Sequence, residues 1–71
     1  MQENTASYTD GFIREKERRE ITQISRTTAW DLERKGQFPK RRKLTPHGKS
    51  VAWLRSEVLA WVASRQVVGG Q

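Results

Sequence analysis

Ser25-Arg26-Thr27-Thr28-Ala29-Trp30-Asp31-Leu32-Glu33-Arg34-Lys35-Gly36 is the stretch whose reading decides the fold. A serine ahead of a helical run accepts a hydrogen bond from a free N–H of the first turn. A glycine just past the run suits a left-handed C′ position, and Arg34 and Lys35 sit at the negative end of the helix dipole. Ala29 and Leu32, three residues apart, face the core. Arg26, Thr27, Thr28, Trp30 and Asp31 ring the first turns outside that face, with Arg26 and Thr27 best placed to point away.

Upstream, the segment from Phe12 to Ile24 is helical in its middle, where Arg14 to Glu20 are mostly good helix formers. Glu15 with Arg19 and Lys16 with Glu20 attract at helical spacing. Ile13, Ile21 and Ile24 are the inward residues. The short turn before Ser25 suits a helix-turn-helix corner. Residues 1–11 are polar and read as a disordered N-terminal tail. Downstream, Pro39 stops any helix, so the chain to Leu44 is extended. Thr45-Pro46-His47-Gly48-Lys49 has strong turn chemistry. Ser50 to Leu54 alternates β-branched and aromatic residues, with Val51 and Trp53 on one face. These two runs make a β-hairpin. Ser56 caps a third helix with Glu57 in its first turn, and Val58, Trp61 and Val62 form its apolar stripe. That helix fades near Arg65, leaving residues 66–71 as a flexible C-terminal tail. The fold class is mainly α with a small β-hairpin: a winged helix-turn-helix over residues 12–65, three helices plus a two-stranded wing.

The chain has 71 residues and a formal net charge of +6. That length supports one small domain with no room for a cleft between domains. The charge is concentrated. Arg34, Lys35, Lys40, Arg41, Arg42, Lys43, Lys49 and Arg55 follow one another with no acidic residue between them, while the rest of the chain carries six basic and eight acidic residues. A basic segment of this kind is the footprint of a phosphate-binding surface. Cysteine is absent and His47 is the single histidine, which excludes disulfides, thiolate metal sites and most zinc sites. No serine or threonine has a histidine and an acid to activate it, and no glycine-rich phosphate loop is present. We expect no enzyme activity and no cofactor. The absence of a signal peptide or a long apolar run predicts a cytoplasmic protein that does not enter the membrane.

In a helix-turn-helix the second helix lies in the major groove and reads base edges with its N-terminal residues. Arg26 is the best base reader, since arginine can bond guanine bidentately. Ser25, Thr27 and Thr28 suit phosphate contacts or the helix start. Trp30 is expected to be partly buried, packing toward the wing and Phe38 with one edge on the DNA side. Arg34, Lys40, Arg41, Arg42, Lys43 and Lys49 form a phosphate-facing strip, with His47 at the tip of a wing that follows the backbone or enters the minor groove. A reading from another class is a protein adaptor whose basic wing binds an acidic partner.

Phe38-Pro39-Lys40-Arg41-Arg42, then Lys49-Ser50-Val51-Ala52-Trp53, then Ser56-Glu57-Val58 and Trp61 resemble the AlpA family of phage and prophage regulators. Ser25-Arg26-Thr27-Thr28 and Gly36 also sit where that family has its serine-led second helix and closing glycine. The family is similar to MerR-like winged helices and to excisionases. The resemblance implies a double-stranded DNA-binding transcription regulator of a prophage or integrated element, or alternatively a recombination directionality factor that bends DNA and recruits integrase. It implies integrase or RNA polymerase as protein partners, and cooperative self-association on DNA. Two positions depart from the pattern. Arg18 stands where the family has an apolar residue, often valine, so either its stem snorkels over the core or the first helix packs loosely. Gln23 stands where the family has glycine in the turn, which predicts a turn that avoids positive φ.

Overall fold

A computed structural model describes residues 10–69. The element order is β1 (Phe12–Ile13), α1 (Glu15–Thr22), α2 (Arg26–Arg34), β2 (Arg42–Lys43), β3 (Val51–Leu54) and α3 (Arg55–Ala63). The mainly α class with a β wing is therefore correct. The sheet differs from expectation by one strand. Its order is β1-β3-β2, antiparallel throughout. Phe12 and Ile13 do not open the first helix but pair with Leu54 and Trp53. The driving contacts lie some forty residues downstream, so no local pattern announces them. β3 is thus central, and it buries both Ala52 and Trp53, which point to opposite faces.

The expected helix-turn-helix is present. Ser25 is the N-cap of α2, and its hydroxyl accepts from the Thr28 N–H at 3.1 Å. At the other end Gly36 has φ 74°. Its N–H reaches the Glu33 carbonyl at 3.0 Å and the Gln37 N–H reaches that of Leu32 at 2.8 Å, the paired bonds of a Schellman stop. The core gathers Ile13, Ala29, Phe38, Trp53 and Val58, with Ile21, Ile24, Leu32 and Trp61 packed against it. Phe38 is met edge-on by Trp61, with ring centroids 4.9 Å apart, rather than by Trp30. The stripe on α3 is narrower than its spacing predicts: Val58 is fully buried, while Val62 is 38% exposed.

Arg18 neither snorkels nor loosens the first helix. It is fully buried and lies among the largest side chains of the core. Its guanidinium donates to the Ile24 carbonyl at 2.7 Å, the Thr22 hydroxyl at 3.1 Å and Glu15 Oε2 at 2.5 Å. Its Cζ sits 5.5 Å from the centre of the Trp53 ring, within cation–π range. A buried guanidinium is costly unless its donors are met: Thr22, Ile24 and Glu15 take both Nη groups, while Nε is left without a partner.

Gln23 does not avoid positive φ. It takes φ 62° and ψ 19° as the left-handed end of α1, and its N–H donates to the Arg19 carbonyl at 2.8 Å. Here a glutamine takes the left-handed stop of α1 from which the chain turns toward α2.

The last helix also differs. Ser56 lies inside α3, whose N-cap is Leu54 with no side-chain cap of its own. The cap comes instead from Asp10, which the sequence places in the tail. Its carboxylate accepts from the Ser56 N–H at 3.2 Å and the Ser56 hydroxyl at 2.9 Å. The Gly11 carbonyl accepts from the Arg55 N–H at 2.8 Å. Asp10 and Gly11 thus belong to the fold, and the remainder of the expected N-terminal tail lies outside the described residues, as do residues 70–71.

Two outcomes are expected. Gln23→Gly relieves the left-handed strain and stabilises the domain by about 0.5–1 kcal/mol, read as a thermal midpoint several degrees higher. The backbone N–H groups of Gly11 and Ser56 hold the Asp10 carboxyl below the usual carboxylate range. A carboxyl depressed in the folded state adds stability that is present at neutral pH and lost as pH falls below about 4. Asp10→Asn is expected to lower the melting temperature at pH 7 and to flatten its fall on acidification.

Candidate nucleic-acid interface

The exposed start of α2 and the wing meet in one groove of about 500 Å³. Arg26 and Trp30 enter it from α2, Lys49, Ser50 and Val51 from the wing, and Arg14 and Lys16 from the start of α1. Trp30 is 44% exposed. The guanidinium carbons of Arg26 and Arg41 lie 5.3 and 4.8 Å from its ring centre. One indole therefore orients a cation from the helix and another from the segment just ahead of β2. Trp30 also lines a second depression along Thr27, Thr28, Asp31 and Arg34, and a third with Lys40, Glu33 and Arg41.

The fold sorts the basic segment that looked uniform in sequence. Five of its eight cations meet carboxylates: Arg34 and Lys35 meet Asp31, Arg41 meets Glu33, Arg42 meets Glu57 and Arg55 meets Glu17, all within 3.0 Å. Lys35 first, and then Arg34, hold the Asp31 carboxyl below its ordinary range. Lys40, Lys43 and Lys49 are exposed, with no carboxylate partner among the described residues.

Strand alternation divides the wing further. Arg42 stands opposite Ala52 and Lys43 opposite Val51. Cross-strand partners share a face, so Lys43 lies with Val51 on the groove side. Arg42 points the other way, to Glu57 at the start of α3 at 2.7 Å. The wing tip is fixed by Gly48, whose N–H donates to Thr45 Oγ1 at 3.0 Å. A Cβ at that position would fall 2.3 Å from the same oxygen. His47 is exposed at this tip and lines none of the three depressions.

Of the helix-start residues, Arg26 and Thr27 face solvent, as their spacing predicts. The Ser25 hydroxyl donates to Thr28 Oγ1 at 3.0 Å while capping the helix, so both side chains are committed to the turn. Sequence reading missed Arg14 and Lys16. The available signal was a pair of cations at the start of the first helix, but only the fold brings that start alongside the wing. Among the described residues no helix is long and apolar enough to cross a membrane, and no three His, Asp or Glu residues gather as metal ligands.

Comparison with known proteins gives two findings. A family model described as "Prophage CP4-57 regulatory protein (AlpA)" matches residues 11–66. The chain is also 48% identical over 54 residues, 76% of its length, to "Uncharacterized protein ORF88" of Enterobacteria phage P4. The match spans 59% of that relative's own length. No solved structure matches.

Because Ser25 fixes the start of the exposed helix, Ser25→Ala is expected to destabilise the domain by about 1 kcal/mol. For a domain of this size that lowers the thermal midpoint by roughly 4–8 °C.

Proposed function

The chain belongs to the AlpA family of prophage regulatory proteins, and we propose that it works there as a double-stranded DNA-binding transcription regulator. In this reading α2 lies in the major groove and the wing follows the adjacent backbone. The observation that carries the reading is the shared groove, in which the start of α2 and the wing present Arg26 and Lys49 together with Trp30 and Val51.

The contacts divide by chemistry. Arg26 is exposed at the end of the helix that a helix-turn-helix inserts, and a guanidinium there can bond guanine O6 and N7 together. Thr27 is placed for a phosphate or a thymine methyl. Lys43, Lys49 and Lys40 are point charges for phosphates, which fix register without reading sequence. Arg41 stacks on Trp30 and bonds Glu33 at 3.0 Å, so it serves as a fixed strut beside the reading helix. Arg42, held by Glu57, stands outside the contact surface. Ser25 and Thr28 present the helix start and its backbone N–H groups, which suit a phosphate.

The test is a binding titration on a site selected from random duplexes. Arg26→Ala is expected to weaken the selected site by roughly 1–3 kcal/mol and relax its sequence preference. Lys43→Ala should weaken selected and random duplexes alike and reduce the salt slope by about one. Arg42→Ala should leave both affinities within about twofold, since a surface ion pair adds little. If Arg26→Ala leaves the selected site untouched, α2 does not read it. A salt-independent affinity overturns DNA binding altogether.

A further inference from the structure

We propose that Arg18 is a buried counter-charge that keeps the phosphate-facing groove electropositive by neutralising Glu15 from below. The inference rests on the DNA-binding reading above. Glu15 is the one carboxylate among the residues lining the groove, which it shares with Arg14, Lys16, Arg26, Arg41 and Lys49. A bare carboxylate at that place repels the polyanion the groove is suited to receive. Among the described residues two cations reach it. Arg19 approaches to 3.7 Å, but its side chain is 58% exposed, so water and salt screen it. Arg18 is at 2.5 Å with its side chain fully buried, where screening is weak and a unit charge acts at longer range.

The local geometry favours this assignment. Two of the Arg18 hydrogen bonds close the turn, on the Ile24 carbonyl and the Thr22 hydroxyl. The third leaves the turn and meets the acid at the groove wall. Trp53 also lines the groove, and the Arg18 guanidinium stacks over its ring at 5.5 Å. A layer one aromatic ring thick therefore separates the buried charge from the groove, with no bulk water between. Arg18 touches no ligand in this arrangement. It is a positioning residue that sets the potential of the groove through Glu15 while holding the helix-turn-helix corner.

Superposition of charges gives the test a signature that a purely structural role lacks. Removing Glu15's charge exposes the field of Arg18 and tightens binding. Removing Arg18's charge exposes Glu15 and weakens it. Removing both restores the starting balance. The probe is a short random-sequence duplex, titrated at low and moderate salt with wild type, Glu15→Gln, Arg18→Met and the double variant. Methionine keeps the length and apolar stem of arginine, and glutamine keeps an acceptor for it. Glu15→Gln is expected to tighten binding roughly three- to tenfold and Arg18→Met to weaken it by a similar factor. The double variant should return to within about twofold of wild type.

A double variant that binds as weakly as Arg18→Met overturns the proposal, because loss of fold rather than of charge is then the cause. If circular dichroism shows Arg18→Met unfolded, Glu15→Gln decides alone, and an affinity unchanged or lowered overturns it. Lys43→Ala runs alongside as the control. If it weakens binding while Glu15→Gln changes nothing, this inference falls and the DNA-binding reading stands. A wild type that binds no duplex overturns that reading, and this inference with it.

Discussion

The guanidinium of Arg18 is the contact on which the rest of the domain depends. Fully buried, it bonds the backbone of the turn at Ile24, the end of α1 at Thr22 and the start of α1 at Glu15, and it lies against Trp53 of the central strand. One side chain therefore ties the first helix, the corner and the sheet together. A chain of 71 residues has few large apolar groups to spend on a core. A long side chain with several donors reaches from α1 to the turn and to Trp53. Both Nη groups meet acceptors, so charge-assisted hydrogen bonds offset part of the desolvation cost, while Nε stays unpartnered.

Electrostatics at the surface follow from the same economy. In a linear count the basic segment looks like an uninterrupted strip, yet acids from α1, α2 and α3 reach back to five of its eight cations. The pairs with Glu33 and Glu57 fasten the wing to the helices on either side of it. Among the described residues of that segment, Lys40, Lys43 and Lys49 meet no carboxylate, and upstream of it Arg26 lies over Trp30. A residual surface of this kind is more specific in shape than net charge suggests. It sets the exposed start of α2 and the wing side by side on one groove.

Much of this was legible in the residues. Ser25 and Gly36 bracket α2 because caps are local devices, satisfied by backbone groups within a few residues. Pro39 and the Thr45-to-Gly48 turn likewise announce the wing through their own dihedral limits. The exposed helix start with Arg26 and Thr27 follows from helical periodicity alone. Asp10 could not be read this way, since a cap supplied from 46 residues away has no spacing to recognise. The strand at Phe12–Ile13 was hidden for the same reason, its hydrogen-bond partners being Trp53 and Leu54.

Gln23 and Arg18 mark the boundary between the two kinds of information. Taken singly, a glutamine argues against a left-handed turn and an arginine argues against a core, because intrinsic preferences disfavour both. Packing of α1 on α3 and β1 overrides each preference, at a cost of about 1–2 kcal/mol for the left-handed residue. The sequence by itself determined the three helices, the wing, the basic character and the helix that faces outward. Tertiary structure alone decided which cations stay free, which acid caps the last helix and which charge is buried. Local caps and periodicities act over a few residues, whereas ion pairing and burial depend on what the closed chain brings into contact.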